Sequence, residues 1–327
     1  MERRKLLSGA LAVAGAAVVG LAGVQAHAGS GQHGARTSLT LLVGAAPGGG
    51  WDTVAREMQQ AMREQGIVVN PQVVNVPGAA GTIALTQLVD MTGRDDVLMV
   101  TGTVMIGGIV VNQADHDLTE TTAIARLADD YEAVVVPADS PYRSVDDLVA
   151  AWRESPRGVA FGGGSLGGTD HLLGGLMAQS ADIDPTQLNY LAFAGGGEAV
   201  NALLSNSIDV GISGYNEFAD QVTAGNLRVL AISADERVEG IDAPTLAEQG
   251  YDVVLPNWRG VVAPPGIDAE SRAELEAIVA ETVDTPEWQS ALERNRWEST
   301  ATYGDDFTGF IDEETTRLTG VVEEIGL

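Results

Sequence analysis

The sequence predicts an α/β fold with two lobes and a ligand cleft between them. The first reason is that short apolar segments alternate with amphipathic helical segments along almost the whole chain. The second is that the 327 residues are 45% hydrophobic, which is enough for a buried core in each lobe. The third is that many of the 40 glycines stand in loops directly after predicted strands.

The first lobe begins with a predicted β–α–β–α–β unit. Its strands are expected at 39–45, 71–76 and 97–102. The helix after the first strand places Val54, Met58 and Met62 on one face, and a second helix covers 82–92. Because each strand is followed by a helix, we expect a parallel sheet with right-handed crossovers.

The second lobe is predicted to be another α/β unit. Two strands between 123 and 138 lead to it, and a helix then begins at Ser144, which forms a capping-box pattern with Asp147. Four more strands are expected within 158–164, 189–197, 208–214 and 227–233. Helices that start near Thr169, Gly197 and Asn216 fill the gaps between these strands.

The end of the chain is predicted to return to the first lobe. It contains a strand at 258–266 and helices at 269–283, 286–297 and 305–325. The chain would then cross between the lobes near 136–138 and again near 255–257. The predicted first lobe is therefore 29–137 plus 257–327, and the second lobe is 138–256. Two crossings make a hinged cleft, with the loops at the carboxyl ends of both sheets facing inward.

The N-terminus has the features of a secretory signal peptide. A basic run at 3–5 precedes an apolar stretch at 6–24, and Ala26-His27-Ala28 is a small-x-small cleavage site. We predict a signal peptide at 1–28 and export to the periplasm or to the outer face of the cytoplasmic membrane. The alternative is an uncleaved anchor helix. No later segment is long and apolar enough to span a bilayer.

Composition and motifs exclude several classes of function. The formal net charge of −28 disfavours nucleic acid as a partner, because phosphate contacts need a basic face. The absence of cysteine excludes disulfides and thiolate metal sites. No loop matches GxxxxGK[ST] or a GxGxxG followed by an acidic residue, and Asp170-His171 lacks metal-ligand spacing. We therefore predict no cofactor and no metal.

Five glycine-rich or polar loops follow predicted strands and precede predicted helices. They are 46–52, 76–81, 162–171, 194–198 and 213–217. Unpaired N–H groups and the positive end of the helix dipole make helix starts favourable for anions. Five such loops at one end of two sheets predict a pocket that grips an anionic molecule through backbone donors. The alternative for each loop is ordinary turn chemistry, with glycine where φ is positive.

One loop also permits an enzyme hypothesis. Residues 163–167 read Gly-Gly-Ser-Leu-Gly, which matches the G-x-S-x-G nucleophile elbow of α/β hydrolases. The histidine that follows Ser165 is His171, in the first turn of the same predicted helix, where a serine–histidine–acid relay could not be assembled. Ser165 and Thr169 are better interpreted as hydroxyl donors to a ligand or as helix caps. His171 is either a ligand contact or a half-buried structural histidine.

Three arginines are candidates for pairing with an anionic ligand. Arg56 lies one turn into the first helix, Arg228 begins a strand, and Arg259 follows Trp258 near the second predicted crossing. Structural or surface salt bridges are the alternative for each. Trp51 could form an apolar wall of the pocket or pack at the edge of its lobe.

The loop sequences resemble a known family in order along the chain. APGGGWDTVAR, NVPGAAGTIAL, GGGSLGGTDHLL, YLAFAGGGEAVNALLSNSIDVGISG, NLRVLAISADER and NWRGVVAPPGI resemble motifs of the extracytoplasmic substrate-binding receptors of tripartite tricarboxylate transporters. The resemblance covers about 39–327. It implies a type II periplasmic-binding-protein fold without catalysis, and a monomer that delivers a small carboxylate to membrane permease subunits. The GGGWD form is similar to the tricarboxylate branch, which favours a citrate-like ligand.

The resemblance also implies where the ligand lies. One carboxylate would bind the first loop at 48–52, partly through ordered waters, and lie near 77–81. The other end of the ligand would meet Ser165 and Thr169 in the second lobe. The full set of expected ligand-binding residues is Gly48, Gly49, Gly50, Trp51, Asp52, Pro77, Gly78, Ala79, Gly81, Thr101, Gly164, Ser165, Gly168, Thr169, His171, Gly196, Ser213 and Tyr215.

Overall fold

The structure, a computed structural model, describes residues 34–193 and 196–326. The predicted signal peptide and residues 194–195 of the fourth glycine-rich loop lie outside this part of the chain. Within the described part, no helix combines the length and apolar character needed to cross a membrane.

The described chain is a mixed α/β fold. Its strands are β1 (Ser38–Val43), β2 (Asn70–Asn75), β3 (Val97–Gly102), β4 (Thr122–Pro137), β5 (Ala160–Gly163), β6 (Asn189–Ala192), β7 (Val210–Gly214), β8 (Leu227–Ile232), β9 (Pro256–Ala263) and β10 (Glu298–Tyr303). Its helices are α1 (Gly50–Glu64), α2 (Thr82–Val89), α3 (Thr103–Val111), α4 (Val145–Glu154), α5 (Thr169–Ser180), α6 (Gly196–Leu204), α7 (Tyr215–Thr223), α8 (Ala269–Val283), α9 (Pro286–Asn295) and α10 (Gly304–Glu324).

The parallel unit predicted at the start of the chain is confirmed. β1 pairs in parallel with β2 on one side and with β3 on the other. α1 crosses between β1 and β2 and buries the predicted face of Val54, Met58 and Met62. A second parallel set is formed by β5, which pairs with β6 and with β7. Parallel strands joined by helices bury both faces of a sheet, so their carboxyl ends carry the accessible loops.

β4 links the two sets of strands. The two strands predicted between 123 and 138 are one continuous strand of 16 residues, which corrects that expectation. Its first part, Thr122 to Tyr131, pairs antiparallel with β9, whereas its second part, Glu132 to Pro137, pairs with β7 and β8. β4 is long enough to serve both sets because a strand advances by about 3.3 Å per residue.

Two elements were absent from the sequence prediction. α3 follows β3 directly, and its sequence TVMIGGIVV is apolar on every side, so it shows no helical periodicity. It is packed tightly, because a Cβ added at Gly107 would collide with the backbone of Gly167, and one at Gly108 would collide with Ala80. β10 pairs with β4, but its residues ESTATY are polar and partly exposed, so no apolar alternation marks it.

Candidate functional site

The loops at the carboxyl ends of both parallel sets surround a cleft of about 820 Å³. The loops after β1, β2, β5, β6 and β7 contribute to its walls, together with residues of β4 and β9 and with Val104, Asn295 and Trp297. The sequence-predicted residues that line it are Gly48, Gly49, Gly50, Trp51, Pro77, Gly78, Gly164, Ser165, Gly168, Thr169 and Ser213. Gly197 of the fourth predicted loop lines the cleft as well, so the structure brings all five predicted loops together at one place.

Three helices that begin at this cleft start without a side-chain cap. Gly49 precedes α1, Gly168 precedes α5 and Gly214 precedes α7, and none of these N-cap positions makes a side-chain hydrogen bond. Of the other helices, α4, α8 and α9 have the capping side chains Ser144, Asp268 and Thr285, whereas α2, α3 and α10 also start without one. The first N–H groups of a helix have no partner within it. The cleft thus faces backbone donors that side chains leave available.

The buried carboxylate of Asp52 stabilises the conformation of the first loop. Its carboxylate accepts hydrogen bonds from the Gly48 N–H at 2.8 Å, from Asn75 Nδ2 at 2.9 Å and from Arg56 Nε at 2.7 Å. Burial alone raises the pKa of Asp52, but these hydrogen bonds outweigh it and hold the pKa below its ordinary value. Asp52 is therefore ionised and positions the loop. Arg56 forms its salt bridge with Asp52.

Arg259 lies at the start of α1. It extends from β9, is only 6% exposed, and donates from Nη2 to Asp130 Oδ2 at 2.7 Å. Its Nη1 lies so close to Gly50 that a Cβ at that position would collide with it. Its Nε has no partner within the described residues. Of the arginines considered from the sequence, Arg259 is the one that lines the cleft, whereas Arg228 hydrogen-bonds the carbonyl of Tyr142.

Two acidic side chains lie on the other wall of the cleft. Glu132 of β4 is 1% exposed and accepts from Asn257 Nδ2 at 2.8 Å. Asp170, in the first turn of α5, accepts the Gly164 N–H at 2.6 Å. Burial raises the pKa of each carboxyl group, and the repulsion between Glu132 and Asp170 raises that of Glu132 further. Both groups therefore take up a proton at a higher pH than ordinary carboxyl groups do.

Several buried polar atoms at the cleft have no partner within the described residues. They are Glu132 Oε2, Asn257 Oδ1, Thr169 Oγ1 and Arg259 Nε. An unsatisfied buried polar atom costs about 1–3 kcal/mol, so folded proteins contain few of them. Four at one cleft indicate positions that a bound molecule or water satisfies.

The second loop adopts a strained backbone beside the cleft. Ala79 and Ala80 have φ of 48° and 53°, in the left-handed region that non-glycine residues rarely occupy. Gly78, which lines the cleft, also has positive φ, at 138°. Such strain persists only where the surrounding structure imposes it, and it is typical of binding loops.

Some predicted site residues do not line the cleft. Besides Asp52, they are Ala79, Gly81, Thr101, His171 and Tyr215. The ring of His171 stacks on Tyr190 at 4.3 Å, its Nδ1 accepts the Gly167 N–H at 3.2 Å, and burial lowers its pKa to about 4. His171 is thus a neutral residue that supports the third loop. Gly196 begins α6, and its surroundings lie outside what the structure describes.

The side chains that give the cleft its charge were not predicted as site residues from the sequence. The missed acids are Asp130, Glu132, Asp170 and Glu217, and the missed amides are Asn216, Asn257 and Asn295. A signal was present for Glu132 and Asn257, since each is a polar residue inside an otherwise buried strand. Within residues 34–193 and 196–326, no group of three or more His, Cys, Asp or Glu side chains has the geometry of a metal site.

The comparisons with known proteins agree with a receptor fold. The family model described as "Tripartite tricarboxylate transporter family receptor" matches residues 54–327. The protein BugT of Bordetella pertussis is 27% identical over 321 residues, which are 95% of this chain and 97% of BugT.

Two solved structures show the same fold. The TctC solute-binding protein from Polaromonas, without ligand, has 25% identity and a TM-score of 0.72, covering 88% of this chain and 98% of that one. MatC from Rhodopseudomonas palustris, with bound malate, has 22% identity and a TM-score of 0.76, covering 88% of this chain and 99% of that one. The predicted two-lobe binding-protein fold is confirmed by these likenesses.

Proposed function

Because the chain belongs to the tripartite tricarboxylate transporter receptor family, whose members are periplasmic solute-binding receptors and not enzymes, we propose that it captures a small di- or tricarboxylate and delivers it to the membrane permease subunits of a tripartite transporter. The observation that carries this proposal is the set of uncapped helix starts at the cleft, with Arg259 beside the first of them. Malate bound to MatC supports a ligand of this class.

One ligand carboxylate binds at the start of α1. The N–H groups of its first turn and the positive end of its dipole favour an anion, and each contact with a charged group is worth more when water is excluded. Arg259 adds a guanidinium group at the same place, and its Nε, which has no partner within the described residues, provides a further donor. The bond to Asp130 fixes the guanidinium in this position.

The second lobe holds the other end of the ligand. Thr169 Oγ1 is a buried hydroxyl without a partner at the start of α5, and Ser165 lies in the preceding loop. Neither residue is the N-cap of α5, because Gly168 occupies that position. Their hydroxyls are therefore available to a ligand. A hydrolase that uses Ser165 is not favoured, because the family consists of receptors and Nδ1 of His171 is committed to the Gly167 backbone.

Transport follows from closure of the cleft. We propose that the lobes, 29–137 plus 257–327 and 138–256, close on the ligand by rotation about the strands that join them. Closure removes water from the hydrogen bonds at the helix starts and strengthens them. A permease then recognises the closed form, and the receptor works as a monomer in the periplasm.

A panel of carboxylates tests the proposal by thermal unfolding. Citrate, L-malate, succinate, adipate and L-glutamate are each added at about 1 mM to the mature protein, with uncharged glycerol as the control. We expect at least one acid to raise the melting temperature, since a ligand at about 100 times its Kd adds about 2.7 kcal/mol to the free energy of unfolding. A panel without any shift would contradict the proposal.

Thr169→Val is expected to weaken binding of the acid identified by the panel by about 1 kcal/mol, roughly fivefold in Kd. The hydroxyl has no partner in the free protein, so the melting temperature without ligand should stay the same or rise slightly. Thr315→Val is the matched control, because Thr315 Oγ1 is also buried without a partner but lies in α10, outside the cleft. Calorimetric titration gives the Kd of each variant. An unchanged Kd in Thr169→Val would show that this hydroxyl does not bind the ligand.

A further inference from the structure

We propose that Glu132, Asp170 and Asn257 form a subsite for a protonated amine, so that the carboxylate carried by this receptor is an amino acid. This inference rests on the proposed function and narrows its ligand class. The three residues come from β4, α5 and β9 and meet on the same wall of the cleft. We call them the acidic subsite.

The acidic subsite contains buried acceptors on residues that line the cleft. Glu132 Oε1 accepts from Asn257 Nδ2, and no donor among the described residues meets Glu132 Oε2 or Asn257 Oδ1. Both residues are at least nine-tenths buried and line the cleft. The nearby Thr169 Oγ1 can accept as well as donate. An ammonium group has three N–H donors and no acceptor, which matches this set of atoms.

The charges of the cleft differ between its two ends. The start of α1 and Arg259 favour an anion, whereas the acidic subsite has two carboxyl groups and, within the described residues, no cation hydrogen-bonded to either, although the charge of Arg259 acts on Glu132 and lowers its pKa. A ligand carboxylate placed at the acidic subsite itself would therefore be repelled by these acids. An ammonium would instead compensate buried negative charge, which is otherwise costly. An α-amino acid or another small zwitterion has both required charges.

The charged groups around the acidic subsite strengthen this preference. Asp130 of β4 faces Glu132 but is neutralised by Arg259, and Glu217 of α7 adds a further acid. Tyr190 of β6 lies behind Asp170, and burial together with these carboxylates raises its pKa, so it stays neutral. A metal ion is not the better occupant, because no described cluster of acids and histidines has the geometry to hold one.

The subsite also predicts a pH dependence with a definite sign. Burial raises the pKa of Glu132 and of Asp170, and repulsion from Asp170 raises that of Glu132 further, so the pair gains protons more readily than ordinary carboxyls do. An ammonium ligand should therefore bind more weakly at about pH 5 than at about pH 8. A dicarboxylate without an amine should show the opposite trend, because a neutral pair no longer repels it.

Matched ligand pairs test the proposal by calorimetric titration. The pairs are L-aspartate and succinate, L-glutamate and glutarate, and 4-aminobutyrate and butyrate, each measured at about pH 8. We expect the amine-bearing member of at least one pair to bind about tenfold more tightly or better. If the acids without an amine bind equally well or better in every pair, the amine subsite is wrong while the receptor function stands. If no carboxylate of this set or of the earlier panel binds, the receptor function itself fails.

One variant tests whether the preference for an amine-bearing ligand depends on the acidic subsite. Glu132→Gln keeps the size of the side chain and a hydrogen bond to Asn257 but removes the charge. It should abolish the advantage of the amine-bearing ligand and raise affinity for its partner without the amine. Glu314→Gln is the matched control, since Glu314 is a buried glutamate of α10 paired with Arg317 at 2.8 Å, away from the cleft. A variant Glu132→Gln that keeps the full amine preference would overturn the assignment.

Discussion

Gly49→Val is expected to lower the affinity for the ligand carboxylate by about 100-fold or more, which corresponds to about 3 kcal/mol. Gly49 is the N-cap of α1 and lines the cleft, so a branched side chain there covers the N–H groups that bind the anion. The fold should tolerate the change. The φ of Gly49 is −76°, and the nearest atom to an added Cβ would be Ala46 O at an ordinary 3.5 Å.

Gly309→Val is the matched control for this experiment. Gly309 lies in α10, and an added Cβ there meets nothing within 4 Å. Both variants should unfold within a few degrees of the wild-type protein, and Gly309→Val should keep wild-type affinity. If Gly49→Val retains wild-type affinity in calorimetric titration, the first loop does not contact the ligand.

Arg259→Met is expected to weaken carboxylate binding by about 2–5 kcal/mol and to destabilise the free protein by about 3–5 kcal/mol. The first effect is the loss of the cation at the start of α1. The second arises because Asp130, which is 8% exposed, would remain as a buried charge without its partner. Calorimetric titration and denaturant unfolding measure the two effects separately.

The double variant Arg259→Met/Asp130→Asn separates binding from stability. Removal of the Asp130 charge should restore most of the lost free energy of unfolding, because a neutral pair no longer carries uncompensated charge. Carboxylate binding should stay weak, since the guanidinium is still absent. If binding returns together with stability, then Arg259 acts by supporting the fold and does not contact the ligand.

The regular elements of the fold were predictable because their signals are local. Helix α8 was predicted at its observed bounds, 269–283, since an Asp cap and helix-forming residues mark it. α3 was missed because a helix that is apolar on all faces lacks the periodicity that distinguishes a helix from a strand. β4 was divided in two because the polar residues at 129–132 interrupt its apolar pattern, although they are buried in the structure.

The candidate site was only partly predictable for a related reason. Glycine-rich loops between strands and helices are visible in sequence, and all five predicted loops contribute residues to the cleft. The acidic subsite depends on which strands are neighbours: Glu132 and Asn257 are far apart in sequence and meet because β4 pairs with β9. The charge at the cleft therefore depends on the order of the strands in the sheet, and local sequence patterns do not reveal that order. The domain limits at 137–138 and 256–257 remain predictions.

The central claim is that a carboxylate binds to the backbone N–H groups at the start of α1, beside Arg259. A crystal structure of the protein with its tightest ligand from the titrations tests this directly. We predict a carboxylate within hydrogen-bonding distance of the N–H groups at 49–51 or of the waters bound to them, and close to the Arg259 guanidinium. A ligand in the cleft whose carboxylates all lie away from both would contradict the account.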